Sequence, residues 1–167
     1  MYFDFKIFTD GASKGNPGLS CSGFIVYDNK TNEKIYEYAE VIGNNETNNT
    51  AEWYAFYLVC TYLADILIKF PSAKIYASIF SDSMLVVNQF YGKYQIRNER
   101  IKNIAEASCK IIQENKDNIT LSVSHIKRDK NKEADKLVNK FLKKYIQSNR
   151  HKGSDAFEPC DIQTMGF

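Results

Sequence analysis

Residues 34–69, KIYEYAEVIGNNETNNTAEWYAFYLVCTYLADILIK, contain the change of period on which the fold reading turns. Over 34–42 apolar and polar side chains alternate, as on a strand with one buried face. From Thr50 to Lys69 the period lengthens. Ala51, Ala55, Leu58, Val59, Tyr62, Leu63 and Ile66 fall on one stripe at helical spacing. Pro71 closes that helix. Toward the N-terminus, residues 2–10 alternate and predict a strand that enters the turn-rich stretch Asp10-Gly-Ala-Ser-Lys-Gly-Asn-Pro-Gly18. Residues 21–28 predict a second strand, followed by the hairpin punctuation Asn29-Lys-Thr-Asn32. The opening is therefore a three-stranded antiparallel meander.

Toward the C-terminus, 74–80 predicts a buried strand, and Ser81-Asp-Ser83 opens a short helix that ends near Gly92. Residues 98–114 predict a helix whose inner face is Ile101, Ile104, Ala105, Ser108, Ile111 and Ile112. A fifth strand spans 119–126. A last helix spans 131–148, with Ala134, Leu137, Val138, Phe141, Leu142 and Tyr145 on its apolar face. The order βββαβααβα predicts an α/β fold, a mixed sheet flanked by helices. Early strands pair as hairpins, and later ones enter through helical crossovers.

A chain of 167 residues suits one domain, expected over 1–148, with the aperiodic 149–167 as a flexible tail. The 44% apolar fraction excludes a disordered chain. A net charge of only +2 means that any nucleic-acid footprint must be local. The four cysteines lack CxxC spacing, and only two histidines accompany them, which argues against zinc. Cys21, Cys60 and Cys109 lie in apolar stretches, where thiols are usually small buried hydrophobes. The start alternates like a strand, with no leader before it, and no uninterrupted apolar run is long enough to cross a bilayer. The expectation is a protein away from membranes, in a reducing intracellular compartment, cytoplasmic or nuclear.

Four carboxylates stand at element ends. Each has a bland reading: Asp10 a turn residue, Glu52 a capping box with Asn49, Asp82 a helix N-cap, Asp135 a solvated charge. The set is harder to dismiss. If the first and fourth strands are parallel neighbours, Asp10 and Asp82 emerge at one sheet edge. Glu52 and Asp135 then lie in the first turns of helices that begin there. Such carboxylates repel unless cations neutralise them. Oxygen ligands without His or Cys select Mg2+ or Mn2+, and two such ions suit phosphodiester hydrolysis.

Four stretches resemble the motifs of type 1 ribonuclease H: Phe8-Thr-Asp-Gly-Ala-Ser-Lys-Gly-Asn-Pro-Gly18, Thr47-Asn-Asn-Thr-Ala-Glu52, Phe80-Ser-Asp-Ser83 and His125-Ile-Lys-Arg-Asp-Lys-Asn-Lys-Glu-Ala-Asp135. They occur in order on the expected elements and span about 5–145. The resemblance implies an RNase H-like sheet of order 3-2-1-4-5. It also implies an enzyme that cuts the RNA strand of RNA–DNA hybrids with two Mg2+ ions, Mn2+ substituting, and leaves 5′-phosphate and 3′-hydroxyl ends. The metal-ligand and catalytic roles fall on Asp10, Glu52, Asp82 and Asp135. Contacts to RNA 2′-hydroxyls fall on Ser13, Gly15, Asn16, Asn48 and Asn49, and a DNA phosphate falls on Thr47. Glycine allows close approach, and Asn offers donor and acceptor to the 2′-OH. Arg128 is expected to engage a phosphate, and Asn131 to orient the attacking water.

The chain resembles a short form of the family. The basic handle is absent, and Tyr91-Gly-Lys-Tyr-Gln95 leads directly to the next helix. Tyr91, Lys93, Tyr94, Arg97 and Arg100 are a modest substitute for stacking on or pairing with DNA, equally readable as a surface loop. The loop histidine of bacterial-type members is missing. His125 stands at a strand end and reads as structural, while His151 in the tail is a remote substitute. Lys132, Lys136, Lys140, Lys143 and Lys144 read mainly as a solvated face. The expected partner is a hybrid, bound by a monomer. The alternative class is a nucleic-acid-binding module, or a reverse-transcriptase-associated domain that needs a partner for activity.

Overall fold

The computed structural model describes residues 1–150; the expectations for the 149–167 tail and for His151 lie almost wholly outside them. The elements are β1 (Tyr2–Gly15), β2 (Gly18–Asp28), β3 (Lys34–Glu46), α1 (Asn48–Lys69), β4 (Lys74–Ser81), α2 (Met84–Phe90), α3 (Glu99–Glu114), β5 (Ile119–His125) and α4 (Lys132–Asn149). A single 3-10 turn, Arg128–Lys130, precedes α4. The sheet order is β3-β2-β1-β4-β5. The three hairpin strands are antiparallel, whereas β4 joins β1 in parallel and β5 joins β4 in parallel.

One expected loop is not a loop. The ladder between β1 and β2 continues from Asp10 opposite Gly23 to Gly15 opposite Gly18. Only Asn16 and Pro17 turn, with Gly15 at a φ of 96°. Gly11, Ala12 and Ser13 lack the β-branched side chains that mark a strand, so composition disguised the pairing.

Helices α1 and α3 share one face of the sheet. Phe5, Ile7, Phe24, Val26, Ile75, Ile79 and Val123 of the strands meet Trp53, Phe56, Val59, Leu63, Ile101 and Ile104 there. Each fully buried side chain of this size contributes ~1.5–3 kcal/mol. By length and by a mean hydropathy of 1.3, α1 is apolar enough to cross a membrane, but 56% of that window is buried inside the protein. Its apolarity is that of a core helix, and it is more continuous than a single stripe: Trp53, Phe56 and Cys60 are buried as well.

On the opposite face α4 packs over β1, β2 and β3, where Val138 and Leu142 meet Cys21 and Ala39. Phe141, expected on its inner face, is exposed. Cys21 and Cys60 are buried, and burial pushes the Cys21 thiol up to about 12. Cys109 departs from the expectation. It is exposed, because α3 turns Ile101, Ile104, Ala105 and Ser108 inward instead.

Candidate active site

Parallel pairing of β1 with β4 brings their C-terminal ends to one sheet edge, and the β1–β4 register ends at Thr9 opposite Ser81. Asp10 and Asp82 are the next residues along each chain. Helix α1 delivers the third carboxylate. Its N-cap is Thr47, whose Oγ1 accepts from the Thr50 N–H at 3.1 Å. Ser22 Oγ donates to Ala51 O at 2.6 Å and moors the first turn to β2. Gly11 lets that turn sit directly on β1. A Cβ there would lie 2.3 Å from Ala51 C and 2.4 Å from Glu52 N.

As a result, Asp10, Glu52 and Asp82 each present an oxygen within 4.8 Å of the others. Asp10 and Glu52 are buried, and the Asp82 side chain is only 7% exposed. Glu52 Oε2 and Asp82 Oδ2 are buried without a hydrogen-bond partner. Burial first, and then the charges of Asp82 and Asp135, push the Asp10 carboxyl up to about 7. Burial and the charges of Asp10 and Asp82 raise Glu52 well above the usual carboxylate range. Buried, mutually repelling oxygens that lack donors suit a divalent cation of the Mg2+ type, which takes oxygen ligands.

The bland readings of these residues are displaced. Thr47, not Asn49, caps α1, and Glu52 makes no capping box. Ser83, not Asp82, caps α2 and accepts from the Val86 N–H at 3.3 Å.

Asp135 stands at the margin of the cluster. It occupies the first turn of α4, adds to the rise of Asp10, and accepts a hydrogen bond from Asn139 Nδ2 at 3.0 Å. It is not among the three whose oxygens converge. Asn131, expected to orient water, is buried, and its Nδ2 donates to Thr9 O at 2.9 Å. It thus clamps the start of α4 to the strand that carries Asp10. Arg128 is exposed, with its Nε 3.8 Å from Asp82 Oδ2, so its near neighbour is a carboxylate.

The expected substrate contacts share one rim. Asn48 Oδ1 accepts from the Ser13 N–H at 2.9 Å, and Asn16 Oδ1 accepts from the Asn48 N–H at 3.2 Å. Ser13 Oγ donates to Gly15 O or to Glu46 O. These bonds join the β1–β2 tip, with Gly15, to the start of α1, where Asn48 and Asn49 are exposed. His125 is exposed at the end of β5 opposite Ser81, so burial gives it no structural role.

Sequence reasoning missed several supports. Trp53 Nε1 donates to Gln89 Oε1 at 2.8 Å, and Gln89 Nε2 donates to Gln95 O at 3.2 Å, fixing the connection after α2. Arg100 pairs with Glu46 at 3.1 Å, beside Thr47. Tyr91, a candidate for stacking on DNA, is half-exposed and anchors its hydroxyl within the protein. It donates to Val123 O at 2.9 Å and accepts from the Val123 N–H at 3.1 Å. No spacing rule links residues so distant in the chain.

The family model for RNase H matches residues 4–143. LC11-RNase H1, isolated from compost by a metagenomic approach, is 31% identical, with 86% of this chain and 98% of that chain covered and a TM-score of 0.74. The same protein has been solved in complex with an RNA/DNA hybrid, at 31% identity, 85% and 99% coverage and a TM-score of 0.74. RNase H1 from the halophilic archaeon Halobacterium salinarum, 24% identical over 84% of this chain and 98% of that one, shares the fold with a TM-score of 0.72. With the family model matching most of its length and a 31% identical relative covering it, the chain belongs to the RNase H family of hydrolases.

Proposed function

We propose that this protein is an endoribonuclease that hydrolyses the RNA strand of RNA–DNA hybrids and leaves 5′-phosphate and 3′-hydroxyl ends. The observation that carries the reading is the convergence of Asp10, Glu52 and Asp82 within 4.8 Å, with buried oxygens of Glu52 and Asp82 that accept no hydrogen bond. The solved complex of LC11-RNase H1 with an RNA/DNA hybrid supports the choice of substrate.

In this reading Asp10, Glu52 and Asp82 hold two Mg2+ ions, with Asp135 joining from α4; Mn2+ substitutes. When bound, such ions polarise the phosphate and lower the pKa of water. The chain itself does the rest. Asn131 keeps α4, and with it Asp135, against β1. Arg128, beside Asp82, turns from carboxylate to phosphate when a strand enters. The rim of Ser13, Gly15, Asn16, Asn48 and Asn49 meets the minor groove, where Asn amides recognise RNA 2′-hydroxyls. Thr47 and its neighbour Arg100 face the DNA strand's phosphates. Residues 1–148 form the catalytic unit and act as a monomer.

The test is incubation with labelled hybrid, double-stranded DNA and double-stranded RNA in Mg2+ or Mn2+. Cleavage confined to the RNA of the hybrid is expected. No cleavage in either metal sinks the reading.

A further inference from the structure

Down β1 from Asp10, on the same face of the sheet, lies a cavity of about 450 Å³ that meets the site above at Asn131. Phe8, Tyr27, Lys6, Asn32, Lys130 and Lys132 are among its lining residues. Phe8 precedes Asp10 by two residues, so both side chains leave the same face of the strand. Phe8 is flanked by rings from both neighbouring strands. Its ring stacks on Phe80 at 5.2 Å and 26°, and Tyr27 meets it edge-on at 5.7 Å and 88°. The Tyr27 hydroxyl donates to Glu133, and Lys6 donates to Asn32 Oδ1, which fixes both ends of the wall.

The segment 127–132, KRDKNK, links this cavity to the carboxylates. Arg128 stands 3.8 Å from Asp82, while Lys130 and Lys132 line the cavity. A row of cations therefore leads from the carboxylates to an aromatic wall. Asp129 and Glu133 also line the cavity and offer acceptors.

We propose that this cavity receives an unpaired nucleotide of the RNA strand beside the scissile phosphate. Its base lies against Phe8 and Tyr27, and its phosphate is met by Lys130. The chemistry favours a single strand. Every base has a face that stacks on an aromatic ring, lysines neutralise the backbone, and carboxylates accept from exocyclic amino groups. A paired base cannot present its face there. The protein would thus prefer cut sites next to a junction where RNA leaves the duplex. The inference rests on the hybrid-cleavage reading for the identity of the strand.

The experiment measures equilibrium binding by fluorescence anisotropy with the full chain in Mg2+, in an Asp10→Asn background that cannot cut the probe. The probes are a short blunt hybrid, the same hybrid with a few unpaired adenosines extending its RNA strand at either end, and one with the extension on its DNA strand. A short single-stranded RNA is run alongside. One of the two RNA extensions should tighten binding about tenfold. Tyr27→Leu and Lys130→Ala should each erase that gain, while binding of the blunt hybrid stays within about twofold.

The proposal is overturned if neither RNA extension tightens binding, if the gain survives both substitutions, or if the DNA extension gains equally. A blunt hybrid that fails to bind, beside single-stranded RNA held in a Tyr27-dependent manner, would remove the hybrid reading and leave the cavity assignment standing. Single-stranded RNA binding indifferent to Tyr27 and Lys130 would overturn the assignment itself.

Discussion

The Asn131 carboxamide donates to the Thr9 carbonyl at 2.9 Å, so one buried hydrogen bond joins the helix of Asp135 to the strand of Asp10. The two residues are 122 positions apart in the chain. Asn131→Ala removes this buried hydrogen bond between α4 and β1, at a cost of ~0.5–1.5 kcal/mol. Asp135 also loses its alignment. Urea denaturation should show the loss of stability, and turnover should fall together with it. Unchanged turnover at reduced stability would make Asn131 a purely structural clamp.

Asp10→Asn removes one of three converging charges. Hybrid cleavage should vanish while the fold survives. In the metal-free protein the variant should be more stable than the parent, because the repulsion that raises Asp10 and Glu52 is relieved. Melting curves in EDTA decide this. A less stable variant would show that the charge is already balanced in the parent.

Stability without metal should depend on pH. The Asp10 carboxyl sits at about 7 in the folded protein against an ordinary value of 3.8. The folded state then holds a proton that the unfolded chain has released. The associated stability is full below pH 3.8 and is lost as the pH rises through about 7. Glu52 adds in the same direction. Divalent cations compete with those protons, so the rise in Tm on adding Mg2+ should grow from pH 5 to pH 8. A Mg2+ effect independent of pH would contradict the assigned ligands.

Gly11→Ala puts a methyl group 2.3 Å from Ala51 C, a clash with backbone that no rotamer change relieves. The first turn of α1 must move, carrying Glu52 with it. Overpacking of this kind costs ~1–3 kcal/mol. Mn2+ affinity, read by calorimetry, should fall as well. An intact Mn2+ isotherm would show that Glu52 is not held by this contact.

His125→Ala alters an exposed side chain and should change stability by less than about 0.5 kcal/mol. Single-turnover cleavage should be nearly unaffected. A large loss would bring His125 into the chemistry from its place opposite Ser81.

Much of this was readable from periodicity. The switch from alternation to the stripe of Ala51, Ala55 and Val59 located α1, and parallel entry of β4 put Asp10 beside Asp82. The ladder through Gly11 and Ser13 was hidden, since those residues favour turns in isolation and only the partner strand makes them extended. Asn131 sits one turn before Asp135, which suits a water-orienting role equally well. Only tertiary packing shows its amide turned to Thr9. Asp135 carries the right motif yet lies outside the tight cluster, because a motif records order along the chain and not the last ångströms of approach. The cavity beside the carboxylates unites Tyr27 with Glu133, 106 residues away, and no local pattern announces such a meeting.

The Tyr91 hydroxyl occupies both backbone groups of Val123 at the middle of an outermost strand. An outermost strand with open amides and carbonyls is a template on which a second molecule can add its own strand. Here the midpoint is already taken by a side chain from the connection after α2. The same eight residues that link two helices therefore cover the midpoint of this edge, and an incoming strand would have to displace the Tyr91 hydroxyl before it could pair there.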